Sequence, residues 1–197
     1  MSDQPTSILP GAGGFGAPEP AKTLPTRRPL VWNPGTDVGL LLLRFAVGGT
    51  FFAHGMQIVF GLWGGPGVEG FARTLEGFGY QQAATLSWAT GITALVGGAL
   101  VVLGFLTPLA AAGLLALMIN TVTIKFGNGF FIASPAGASA VELEVVLGLA
   151  AAALVLTGPG RVALDNGRTW HRRPASWGVL ALVIGVAAAV LVLVLLR

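Results

Sequence analysis

Apolar residues gather into five long runs, at about residues 38–62, 83–104, 106–126, 139–157 and 176–196. Each approaches the roughly 20 residues that an α-helix needs to cross a bilayer. The pattern predicts an all-α polytopic membrane protein. Four helices would form a bundle over residues 37–165, and a basic loop and a fifth transmembrane helix would follow over 166–197. "GFLTP" at 104–108 separates the second and third runs. Pro108 suits the first turn of a helix, where its missing N–H breaks no bond. Between the first two runs, Val68, Phe71, Leu75 and Phe78 share one helical face, with Glu69, Arg73 and Glu76 elsewhere. That is the pattern of a short amphipathic helix lying on a membrane surface. Residues 1–36 are rich in Pro and Gly and show no helical period, so they read as a flexible cytoplasmic tail. They do not read as a signal peptide, because no apolar segment follows a charged start in the first 30 residues.

Composition supports the membrane reading. Of the 197 residues, 54% are hydrophobic and 10% charged, against roughly 25% charged in soluble domains. Mean hydropathy is +0.79. The isoelectric point near 10.2 reflects a net charge of only +3, which makes no nucleic-acid surface. The basic residues act instead as topology signals. With the N-terminus inside, Lys22, Arg27, Arg28, Arg161, Arg168, Arg172 and Arg173 are cytoplasmic, and Arg73, Lys125 and Arg197 lie outside. The positive-inside rule therefore favours a cytoplasmic N-terminus and an external C-terminus.

The membrane segments carry a few polar groups. On the first helix Val47, Thr50, His54, Gln57 and Gly61 form a stripe at spacings of three and four. Such a stripe should face other helices or a wet cavity. Similar stripes hold Ser87 and Thr90 on the second helix, Asn120 and Thr123 on the third, and Glu144 on the fourth. By depth, His54, Gln57, Ser87, Thr90, Asn120, Thr123, Lys125 and Glu144 meet at one outer level. They form a candidate ligand cluster for a small molecule, a quinone headgroup or a proton. The alternative is a polar knot that only fixes packing. His54 and Glu144 are the expected partners, because an isolated buried carboxylate is costly. Arg44 is expected to snorkel to the inner interface, with Asp37 or an anionic lipid as alternative partners.

Other chemistries are disfavoured. The chain has no cysteine, so it offers no disulfide, Fe–S or thiolate metal site. His54 is the only histidine in the apolar runs, which leaves no bis-histidine haem within one chain. No Walker, dinucleotide or zinc-protease motif occurs, and no metal site or resident cofactor is expected.

Several motifs resemble the DoxX family of small four-helix membrane proteins. They are Leu43–Arg44, "HG" at His54–Gly55, "FG" at Phe60–Gly61, "GGALVVLGFLTPLAA" at 97–111 and "TGPGRVALD" at 157–165. The resemblance implies a four-helix membrane unit in a bacterial plasma membrane, tied to redox chemistry. Relatives often carry ionisable residues where this chain has Ile58, Ala94 and Pro108. The expected function is therefore a non-catalytic accessory subunit of a respiratory or redox complex, in contact with the lipid bilayer and a larger protein assembly. The alternatives are a quinone-linked oxidoreductase subunit of the thiosulfate:quinone type or, ranked lower, a small-molecule transporter.

Overall fold

The computed structural model describes residues 34–131, 133, 140–165 and 174–196. The expected tail lies outside the described residues as far as residue 33. Its last residues do not belong to it, because α1 already begins at Pro34 and runs to Phe60. Proline has the φ of a first helical turn and no N–H to satisfy there, and Asp37 in that turn favours the positive end of the helix dipole. A short 3-10 turn, Leu62–Gly64, leads to α2 over Gly67–Gly77. Then come α3 (Ala83–Leu103), α4 (Thr107–Lys125), α5 (Glu142–Thr157) and α6 (Pro174–Leu195). The described residues contain no strand.

Four stretches, Pro34–Phe60, Ala83–Leu103, Thr107–Asn128 and Ser176–Leu195, are long and apolar enough to cross a membrane. The chain is thus a polytopic all-α membrane protein. The fourth apolar run forms a shorter helix than expected. α5 has 16 residues and starts at Glu142, so it is about 24 Å long. It still runs the height of the bundle. Val141 N–H at its start bonds the carbonyl of Gly129, just past α4, and the segment after its end bonds the α3–α4 turn.

α1 packs on α3, α4 touches α3, α5 and α6, and α5 also meets α6. Between helices already in lipid, association comes from close van der Waals contact rather than from burial away from water. Small residues set that contact. A Cβ at Gly55 would stand 2.4 Å from the backbone nitrogen of Leu95, and one at Gly98 would stand 2.5 Å from that of Phe52. α1 and α3 therefore touch backbone to backbone. Their seam and the facing surfaces of α4 and α5 enclose a core that includes Val47, Phe51, Val101, Leu114, Leu154 and Val155.

The apolar face of α2 packs in part against the start of α3. Ala72 and Leu75 are buried against Tyr80, Ala83 and Leu86 at the start of α3. The hydroxyl of Ser87 donates to the Val68 carbonyl at 2.7 Å and holds α2 in place. Glu69, Arg73 and Glu76 face outward, as the pattern predicted. α6 closes the same end, where its Leu196 carbonyl accepts the N–H of Gln81 at 3.0 Å.

Candidate functional site

The residues expected to form one polar cluster separate into three groups. His54 is exposed on α1, and its Nδ1 pairs with Gln57 Oε1 at 3.1 Å within the same helix. The glycine seam explains this. Gly48, Phe51 and Gly55 turn toward α3, which rotates His54 away from the bundle. Thr123 is likewise exposed and returns its hydroxyl to the Ile119 carbonyl. Ser87 is fully buried and engaged with α2.

The remaining residues do converge. Lys125, in the last turn of α4, forms an ion pair with Glu144 in the first turn of α5. Each charge also lies at the favourable end of its own helix dipole. The expected His54–Glu144 pair is therefore replaced by Lys125–Glu144. Helix ends decide this: α4 and α5 are joined at that end and bring their terminal turns together, whereas His54 is turned outward on α1. Glu144 Oε2 and Asn120 Oδ1 are buried with no hydrogen-bond partner among the described residues. The amide nitrogen of Asn120 donates to the Ala116 carbonyl at 2.9 Å.

Thr90, Asn120 and Lys125 line a cavity of about 460 Å³ between α2, α3, α4 and α6. This volume lies within the range of about 300–1,000 Å³ typical of small-molecule sites. Its wall is largely apolar, with Leu86, Ala116 and Leu117 on α3 and α4 and Ala189 and Val192 on α6. Thr90, Thr93, Asn120 and Thr121 add polar groups along α3 and α4, and the charge of Lys125 stands at the α2 end with Thr74 and Tyr80. Such a space can hold an apolar body and orient a polar head. Among the described residues, no group of three or more His, Cys, Asp or Glu side chains could hold a metal ion.

A second polar centre, at the opposite end of the bundle, escaped the sequence reading. Arg44 is 1% exposed and donates from Nη2 to the Val162 carbonyl at 2.6 Å. It does not snorkel. Its guanidinium lies where any side chain at residue 104 would be, since a Cβ at Gly104 would fall 2.1 Å from Nη1. Gly104 also needs its freedom for a φ of 67° in the α3–α4 turn. Asp165, fully buried, accepts the Thr107 backbone N–H at 3.0 Å and so caps α4 from a distance. Asp37 Oδ1 accepts the Arg161 N–H at 2.9 Å. Three loop or helix ends are thus tied by side chains. "TGPGRVALD" held the signal, but pairing across more than a hundred residues has no local period.

Residues 39–128 match the family model described as DoxX. The matched stretch runs from the first turns of α1 through α4 and includes the glycine seam, Arg44, the α3–α4 turn and Lys125. It leaves α5 and α6 outside. No curated protein and no solved structure matches the chain. With its membrane-length apolar helices, the chain is a polytopic membrane protein whose residues 39–128 are similar to the DoxX family.

Proposed function

We propose that this chain is a non-catalytic accessory subunit of a larger respiratory or redox complex in a bacterial plasma membrane, with its N-terminus in the cytoplasm. One observation carries this reading: most of the charged side chains inside the bundle, and Ser87 with them, hold helices or helix ends to one another. Ser87 ties α3 to α2, Lys125 and Glu144 tie α4 to α5, and Arg44 and Asp165 tie α1 and α4 to the segment after α5. A catalytic centre needs reactive groups positioned toward a substrate instead. α6 adds contact surface, with Val179, Val183, Val186, Val190 and Val194 exposed along its length. The orientation rests on the excess of Lys and Arg in the tail and the α5–α6 segment.

Purification in mild detergent tests the assignment. The expected result is stoichiometric recovery with an oxidoreductase core, and a deletion strain in which that core keeps most of its turnover. If the isolated chain reduced or oxidised a quinone with a defined donor, and His54→Ala abolished the activity, the accessory role would be wrong.

A further inference from the structure

α3 and α6 both pack on α4, and the cavity lies between them over the α4 surface. Ala89 on α3 and Ala188 on α6 line it and are exposed at its mouth. The cleft therefore opens sideways, toward the hydrocarbon of the membrane. Its far end is covered by α2, which Ser87 pins down. An apolar space open to lipid fills with membrane components, because water gains no hydrogen bonds there.

The lining's one charged side chain stands at one end. Gly113 and Thr93 lie deep along α4 and α3, and Lys125 lies at the α2 end. The ion pair with Glu144 uses one of the three Lys125 N–H donors. Asn120, about a turn and a half deeper, has an amide oxygen with no partner among the described residues. We propose that this cavity binds one single-chain membrane amphiphile, its chain lying along α4 and its oxygen-bearing head at Lys125 and Asn120. A head oxygen accepts from Lys125, and where the head carries a hydroxyl it donates to Asn120 Oδ1. α6, which lies outside the DoxX match, supplies the wall that makes the groove on α4 a cavity. This assignment is independent of the accessory role.

The cavity can be filled without disturbing the backbone. A Cβ at Gly113 would meet only Thr93 Cγ2, at 3.4 Å, an ordinary contact. Gly113→Leu should keep the fold and occupy the deep end. Ala188→Trp, at the exposed mouth, blocks entry from a position that carries little packing. Native mass spectrometry of the detergent-solubilised full chain, titrated separately with mono-olein and with decylubiquinone, reads the outcome. The expected result is a single saturable adduct, weakened about tenfold or more in both variants. Val183→Trp, on a lipid-facing position of α6 away from the cavity, should bind as wild type. Binding of mono-olein alone identifies an acyl lipid. Binding of decylubiquinone alone identifies a ring-headed one, and a saturable adduct with either probe or with both supports the site. No saturable adduct with either probe, or unchanged binding in Ala188→Trp, overturns it.

Discussion

Arg44 and Val162 are 118 positions apart, yet the guanidinium donates to the carbonyl at 2.6 Å. That bond, with the Asp165 cap on α4, holds the end of the bundle where α1 begins, α3 turns into α4 and α5 finishes. Arg44 Nε and Nη1 and Asp165 Oδ1 have no hydrogen-bond partner among the described residues, and the two charges attract each other electrostatically. At such a buried site the low dielectric strengthens that interaction and couples the two groups.

A double-mutant cycle on this pair should therefore be non-additive. Arg44→Gln and Asp165→Asn are each expected to destabilise the protein, and together to cost less than their sum by about 1 kcal/mol or more. Thermal unfolding in a fixed detergent gives the three differences. Strict additivity would mean that the two charges do not interact.

The glycine seam makes a sharper prediction. Gly55→Ala and Gly98→Ala place a methyl group against facing backbone, which cannot yield as a side chain can. Each should cost about 1–3 kcal/mol, the usual range for overpacking. Gly49→Ala, with nothing within 4 Å of its Cβ, should be neutral or slightly stabilising. Equal melting temperatures for all three variants would show that α1 and α3 do not pack this closely.

Because the chain has no cysteine, introduced pairs report proximity directly. Lys125→Cys with Glu144→Cys should cross-link through a short bifunctional reagent. His54→Cys with Glu144→Cys should not, since His54 is exposed on α1 while Glu144 packs beside α4. The opposite pattern would restore a His54 cluster.

Single cysteines also test the proposed orientation. Thr74→Cys on exposed α2 should react with an impermeant thiol reagent in intact cells. Arg161→Cys, exposed at the Arg44 end, should react only after permeabilisation. Reaction of position 161 in intact cells would invert the topology.

The pattern of apolar runs determined a great deal by itself. Membrane-length helices, the turn at Gly104–Pro108 and the amphipathic α2 all follow from local periodicity and composition, while the DoxX likeness rests on short motifs in a set order. Bilayer thickness and helical rise leave few alternatives for such runs. Face selection was legible only in part. Ser87 of α3 is buried as its stripe suggested, whereas His54 of the α1 stripe is exposed. A stripe shows which residues share a face, but the partner surface decides which face is used. For α1 the backbone contact permitted by Gly48 and Gly55 outweighed the polar groups beside it. Which charges meet was likewise a tertiary decision. Lys125 finds Glu144, and Arg44 turns inward to Val162, because helix ends distant in sequence arrive at the same level of the bundle. The cavity belongs wholly to the tertiary structure. It exists only where α6 stands beside α3 on α4, and no single helix records that spacing.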